Sequence, residues 1–170
     1  MRLRAFIVAA LCAALCCFGN HDAQAATLTS PMTVVAAVNM RCSIFTVTVA
    51  FGTYDLMGAN ATTPLDAIGG VSLNCDRGRV VRVRLDQGLY PAAGSSDNAP
   101  LRQMGQGTDR LSYNLYVDAA HSQVWSNASP GERPATNTFP QVMPVYGRVP
   151  AGQVAQAGAY SDTVVATITF

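Results

Sequence analysis

The chain has 170 residues, and its eleven basic and ten acidic side chains leave a formal net charge of +1 at pH 7. Only 12% of the residues are charged and neither sign dominates, which argues against recruitment to nucleic acid or to an anionic membrane by charge alone. The length fits one globular domain.

The N-terminus has the pattern of a secretory signal peptide. Arg2 and Arg4 precede an apolar run over residues 5–18, and an A-Q-A tripeptide ends at Ala25. The run is too short for a membrane span, which favours cleavage between Ala25 and Ala26 over an uncleaved anchor. The remaining chain then carries nine arginines and nine acidic residues, with no lysine.

Two cysteines remain after this leader, Cys42 and Cys75. In an exported protein two cysteines are expected to pair. The bond would close a loop of about 34 residues, which the chain-entropy model values at roughly 3.5–4 kcal/mol. A two-cysteine metal site is the alternative, but His121 is the one histidine left to complete it.

Alternation of apolar side chains predicts β-strands along most of the chain. The predicted apolar faces are, in chain order, Leu28, Met32, Val34, Ala36, Val38, Met40 and Cys42; Phe45, Val47, Val49 and Phe51; Val71, Leu73 and Cys75; Val81, Val83 and Leu85; and Leu111, Tyr113, Leu115 and Val117. With Gly, Pro, Asn and Asp between the segments, about seven strands predict an all-β, antiparallel sandwich.

Two stretches, 87–110 and 127–141, are predicted loops because they are rich in Gly, Ser, Asn and Pro. Crossover connections of a sandwich are the favoured interpretation, and ligand loops are the alternative. The last segment alternates again, with one polar exception, Asp162, on its apolar face. That face consists of Tyr160, Val164, Ala166, Ile168 and Phe170. No later strand follows to pair with it.

No catalytic constellation is evident, so we expect no enzyme and no cofactor. His121 follows Asp118 closely, but no nucleophile motif accompanies them. The arginines within 77–84 include the solvent face of a strand and lack interleaved aromatic residues, which argues against nucleic-acid binding. Trp125 is a candidate ligand contact as a platform for a sugar ring, but core or loop packing is the favoured interpretation for a single Trp near a strand.

Several separated motifs together resemble one family. They are "VNMRCSIFTVTVAFGTYD", "GGVSLNC", "VRVRLDQG", "LSYNLYVD" and "PVYGRVPAGQVAQAGAYSDTVVATITF". This series resembles the spore coat protein U domain family, which includes pilin subunits of the archaic, Csu-type chaperone–usher pathway. The resemblance covers essentially the whole chain after the leader.

The resemblance implies an incomplete immunoglobulin-like sandwich that lacks its final strand and is completed by strand addition from another subunit. The implied division is a signal peptide over 1–25, a donor segment over 26–38 and a domain over 39–170. The implied donor residues are Leu28, Met32, Val34, Ala36 and Val38, and the last segment borders the acceptor groove. An exposed apolar edge must be covered, and the implied partners are other pilin subunits, a periplasmic chaperone and an outer-membrane usher.

The implied function is that of a structural pilus subunit, exported through the periplasm to the cell surface, with a role in adhesion or biofilm. Three alternatives stay open. One is a spore or cell-surface coat protein of the spore coat U type. Another is a secreted carbohydrate-binding module that uses Trp125 and the long loops. The last is an enzyme.

Overall fold

The computed structural model describes residues 27–39, 41–76, 80–134 and 140–170. The predicted signal peptide, with its cleavage site between Ala25 and Ala26, lies outside these residues. The chain divides into two units, Met1–Ala37 and Val38–Phe170. In the first unit, residues 27–37 form no regular element and their side chains are exposed. No helix in the described ranges has the length and hydropathy of a membrane span.

The described residues of the second unit form eight strands and one 3-10 turn at Ala59–Ala61. The strands are β1 Cys42–Val47, β2 Leu65–Cys75, β3 Val80–Leu85, β4 Arg102–Gln106, β5 Asp109–Tyr116, β6 Gly131–Pro134, β7 Gln141–Val149 and β8 Ala166–Thr169. They form one five-stranded sheet, in the order β1-β2-β7-β5-β4, and one three-stranded sheet, in the order β6-β3-β8. Every pairing is antiparallel, so the predicted all-β antiparallel class is confirmed.

The core lies between the inward faces of the two sheets. Its buried apolar side chains follow the period-two pattern of β2, β3, β5 and β7. They include Val71, Leu73, Val81, Val83, Leu85, Leu111, Tyr113, Leu115, Met143, Val145 and Val149. The faces predicted for β2, β3 and β5 therefore point inward, because one face of each strand packs on the opposite sheet.

The face predicted for residues 45–51 is wrong in its first half. Phe45 and Val47 are 66% and 59% exposed, whereas Val49 and Phe51 pack against the core. The register explains the difference, because Ile44 pairs with buried Leu73 and the odd-numbered residues of β1 then point outward. Val49 turns inward only after β1 has ended, so a single alternation cannot describe the whole segment.

Glycines make that inward crossing possible. A Cβ atom on Gly69 would lie 2.7 Å from the Val47 carbonyl oxygen and 2.9 Å from the Val49 backbone nitrogen. A Cβ on Gly147 would lie 2.7 Å from the ring of Phe51. The chain after β1 therefore passes directly over the inner face of the larger sheet. It crosses at Gly69 and Gly147, where the absence of a side chain leaves room for it.

The two predicted loops and the predicted last strand also need correction. The 87–110 stretch contains β4, and the 127–141 stretch contains β6. Within 160–170 only Ala166–Thr169 is a strand. Before β8, the Asp162 carboxylate accepts hydrogen bonds from Leu89 and Tyr113, and Ser161 forms an isolated bridge with Gly105. Residues 161 and 162 therefore do not extend the β8 ladder.

The predicted disulfide is confirmed. Cys42 and Cys75 are bonded and form the first register pair of β1 and β2. One residue beyond, the Arg41 N–H donates to the Asp76 carboxylate at 2.9 Å and the Asp76 N–H to the Arg41 carbonyl at 3.0 Å. This end of the larger sheet is therefore closed by both covalent and hydrogen bonds.

Candidate functional site: an open groove

An open groove of about 1140 Å³ enters the core of the second unit. Its first rim is residues 48–55, which follow β1, and its second rim is residues 155–165, which lead into β8. Its floor consists of core side chains, among them Val71, Leu85, Leu111, Leu115, Val145 and Val149. The groove thus exposes part of an interior that a complete sandwich would cover.

The first rim lacks backbone partners. Val49 and Phe51 are anchored on the core, yet residues 48–53 form no hydrogen bond within the described ranges. Backbone N–H and C=O groups in a sandwich are normally paired. This rim therefore has the free hydrogen-bonding groups of a sheet edge.

The second rim continues into β8, which is the edge strand of the smaller sheet. The Asp86 N–H donates to the Val165 carbonyl at 3.2 Å, and the Val165 N–H donates to the Asp86 carboxylate at 3.0 Å. Residue 165 thus faces β3, and hydrogen-bonding direction alternates along an antiparallel strand. The backbone groups of Ala166 and Ile168 therefore point away from β3, toward the open edge.

One polar link crosses the groove. The Tyr113 hydroxyl, from the floor, donates to the Asp162 carboxylate of the second rim at 2.6 Å. The Leu89 N–H donates to the same carboxylate at 2.8 Å. Burial, and next the hydrogen bond to Asp162, raise the pKa of the Tyr113 hydroxyl far above its usual range. This hydrogen bond connects the second rim to β5 of the larger sheet, across the open part of the groove.

Arg102 is linked to the same rim only through Asp86, which pairs with Val165, and it has no signal in the sequence. Its side chain is almost completely buried and donates to the carbonyls of Leu85, Asp86 and Trp125. Burial lowers the pKa of this guanidinium. Asp162, by contrast, was detectable, because it is the one polar residue on the apolar face of the last segment.

The predicted acceptor residues divide into two groups. Tyr160, Val164 and Ala166 line the groove. Ile168 packs against the core outside its lining, and Phe170 is 51% exposed. The predicted donor residues, Leu28, Met32, Val34, Ala36 and Val38, are all exposed.

The core packing favoured for Trp125 is confirmed, and the alternative, a sugar platform, is wrong. The side chain is 1% exposed, and its indole N–H donates to the Val83 carbonyl at 2.8 Å. It belongs to the core, because a ring with both faces covered cannot stack on a ligand.

His121 contacts groups that give it no nucleophile to activate. Its ring packs edge-on against Tyr116 and Tyr146, with centroids 5.0 and 6.4 Å away. Its Nε2 lies 3.8 Å from the Asp66 carboxylate, which is paired with Arg148 at 2.7 Å. The described residues contain no group of three or more His, Cys, Asp or Glu side chains placed to hold a metal ion.

The comparisons with known proteins agree with this architecture. A family model for the spore coat protein U domain matches residues 28–167. "Protein U" of Myxococcus xanthus is 50% identical over 91 residues, which span 52% of this chain and about half, 51%, of that protein.

Several solved structures are similar, and two of them illustrate the match. A chain of the CsuC–CsuE chaperone–tip adhesion subunit pre-assembly complex, from the archaic chaperone-usher Csu pili of Acinetobacter baumannii, aligns with a TM-score of 0.55 and 22% identity. The alignment covers 78% of this chain and 40% of that one, and it confirms an immunoglobulin-like sandwich. A chain of a chaperone-usher pilus aligns at a TM-score of 0.49 and 18% identity, over 86% of this chain and 99% of that one.

Proposed function

Because this chain belongs to the spore coat protein U domain family, we propose that it is a structural subunit of a surface fibre assembled by strand addition. The observation that carries the proposal is the open groove, in which the first rim and the edge of β8 offer free backbone groups beside an apolar floor. A groove of this kind accepts an extended segment, which gains ladder hydrogen bonds from the rims and fills the floor with alternate side chains.

The segment that fits this requirement is residues 26–38 of a second copy or of a related subunit. Its even-numbered face consists of apolar residues with Ser30 as an exception, and its odd-numbered face is rich in threonine. Full burial of one large aliphatic side chain contributes about 1.5–3 kcal/mol. Met32, Val34 and Val38 together therefore supply enough energy for a durable joint, even after the cost of ordering the segment.

The groove and the donor segment are different surfaces, so their contact is heterologous. Such a contact propagates from copy to copy and does not close into a dimer. While a copy waits for its donor, its open edge is an aggregation hazard. We therefore include a periplasmic chaperone and an outer-membrane usher as partners, and export to the cell surface as the route. A role in adhesion or biofilm stays a prediction.

The test is a pair of matched substitutions in the donor segment. Val34→Asp places a charge on the face that would enter the apolar groove, whereas Val35→Asp places the same charge on the opposite face. Burial of an unpaired carboxylate is prohibitive, so we expect Val34→Asp to abolish SDS-resistant ladders and Val35→Asp to preserve them.

Both variants should yield similar amounts of monomer when co-expressed with the chaperone. Ladders of normal length from Val34→Asp would show that this face does not enter a groove. Loss of ladders from both variants with equal monomer yield would mean that the segment is needed for a reason other than alternate side-chain burial.

The family description and the match to "Protein U" favour a second candidate, a coat protein laid on a cell or spore surface. Electron microscopy of cells with and without the gene separates the two, since only the first predicts filaments that disappear with the gene. We propose no catalytic role, because His121 has two tyrosine rings and a carboxylate as its neighbours.

A further inference from the structure

We propose that the open groove selects its donor by size, through a row of three residues that spans it from rim to rim. This crossbar is defined as Phe51 of the first rim, Tyr113 of the floor and Asp162 of the second rim. The inference rests on the proposed function and deepens it, because it names the acceptor residues that decide which segment fits. The partner it fits is an extended segment with a small side chain where that segment passes the crossbar.

The crossbar is continuous across the groove. On one side the Phe51 ring packs edge-on against the Tyr113 ring, with centroids 6.1 Å apart. On the other side the Tyr113 hydroxyl donates to the Asp162 carboxylate at 2.6 Å. Among the buried residues described along the groove Tyr113 is the one aromatic residue, and Leu111 and Leu115 on the same strand are aliphatic. Because a tyrosine is larger than a leucine and here has a partner on each rim, less depth remains above it for a donor side chain.

The rim ends of the crossbar are held in place. The Asp162 carboxylate also accepts the N–H groups of Leu89 and Thr163, both at 2.8 Å. It lies against Gly88, where an added Cβ atom would collide with it. Phe51 packs against the core. A rotation of Asp162 would break three hydrogen bonds, so a donor side chain that is too large overpacks this level of the groove and destabilises the joint.

The candidate donor has two small side chains on its even-numbered face. Ser30 and Ala36 interrupt a series of larger apolar residues, which are Leu28, Met32, Val34 and Val38. Each small residue is the second even-numbered position from one end of the range 28–38. Asp162 is likewise the second even-numbered position of the last segment, 160–170. The two ranges have the same length, so they can lie side by side along their whole extent.

The match of a small donor residue to the crossbar does not depend on the direction of the donor. With the two ranges side by side, Asp162 lies beside Ser30 in a parallel arrangement and beside Ala36 in an antiparallel one. A shift of the donor by two residues brings a larger side chain there in every case, namely Leu28, Met32, Val34 or Val38. The crossbar therefore favours the full overlap over its nearest alternatives. It also rejects related segments that carry a large residue at this place, which is specificity by repulsion.

Peptide binding to the full-length protein tests the crossbar. The acceptor carries Val34→Asp in its own donor segment, so that it stays monomeric and its groove stays open. The probe is a fluorescent peptide of residues 27–39, in its parent form and with Ser30→Leu or Ala36→Leu. We expect one of these two substitutions to weaken the affinity about tenfold or more, because the larger side chain overpacks the crossbar. The other should change the affinity less than about threefold, since that residue lies beside Ile168, outside the groove lining.

Controls in the peptide and in the acceptor separate the crossbar from the general fit of the groove. A peptide with Val35→Leu, on the opposite face, should bind within about threefold of the parent peptide. In the acceptor, Tyr113→Leu removes both contacts of the crossbar, so the tenfold ratio between the peptides should fall to about threefold or less. Leu115→Val shortens a floor residue on the same strand and should leave the ratio unchanged. Should Tyr113→Leu fail to fold, Asp162→Ala removes one end of the crossbar in its place.

Three results would overturn the inference. One is equal affinity of the parent, Ser30→Leu and Ala36→Leu peptides. Another is a loss of affinity that persists in the crossbar variant. The third is a loss that Leu115→Val relieves as fully as Tyr113→Leu, since the floor would then limit size everywhere. Absence of binding by the parent peptide would instead sink the proposed function, and the inference with it.

Discussion

The first rim depends on a glycine that can be tested directly, Gly69. Gly69→Ala adds one methyl group on the inner face of β2, where the chain crosses after β1. The new Cβ would lie 2.7 Å from the Val47 carbonyl oxygen, 2.9 Å from the Val49 nitrogen and 2.6 Å from Val49 Cγ2. Two of these atoms belong to the backbone, so a side-chain rotation cannot relieve the contact.

The neighbouring glycine provides a matched control. In Gly70→Ala the nearest atom is Cγ1 of Val142 at 3.2 Å, and that side chain is exposed and can yield. Both substitutions remove the same unfolded-state entropy, about 0.4–1 kcal/mol in favour of the folded state. Overpacking costs about 1–3 kcal/mol and applies to Gly69→Ala alone. We expect this variant to be about 1–2 kcal/mol less stable, and Gly70→Ala to remain close to the parent protein.

The functional assay is binding of a fluorescent peptide of residues 27–39, alongside urea unfolding. A displaced first rim loses part of its ladder with the donor, and each 1.4 kcal/mol is a factor of ten in affinity. We expect Gly69→Ala to weaken peptide binding about tenfold, with little change for Gly70→Ala. Unchanged stability and affinity in Gly69→Ala would refute the claim that the rim crosses β2 at this point.

Two further predictions concern stability. Replacing Cys42 and Cys75 together by serine should lower the free energy of unfolding by about 3.5–4 kcal/mol, measured by urea denaturation against the parent protein under non-reducing conditions; a loss below 1 kcal/mol would contradict it. Tyr113→Phe should cost about 1.5–2 kcal/mol at pH 7, because a hydrogen bond to a carboxylate is lost. The raised pKa of Tyr113 means that the unfolded chain releases this proton above about pH 10 while the folded protein keeps it, so stability falls as pH rises. Tyr113→Phe should therefore lose less stability than the parent protein above pH 10, and identical alkaline profiles would argue against the buried hydroxyl.

Much of the fold could be predicted from local pattern. The strands with one face on the core, such as β5 with Leu111, Tyr113 and Leu115, satisfy a period of two because each alternate side chain meets the opposite sheet. The disulfide could be predicted because two cysteines follow the predicted leader. The alternating segments predicted the fold class, and the motifs within them, taken together, indicated the family.

The candidate site was only partly predictable. Tyr160, Val164 and Ala166 belong to the alternating segment that was predicted to border an acceptor groove, and all three line the groove. Phe45 and Val47 show the same alternation and point outward instead, since pairing with β2, and not hydropathy, fixes their direction. Arg102 was missed because a buried arginine is defined by the carbonyls around it, which come from distant parts of the chain.

The sequence by itself therefore determined most of the core strands, the disulfide and the apolar face of the candidate donor, which are properties of neighbours along the chain or of residue type. The tertiary structure decided where the interior stays open. That depended on two glycines that let the first rim cross inward, and on the bond from Tyr113 to Asp162 that holds the second rim. These contacts join residues 20 to 98 positions apart, and no local period encodes them.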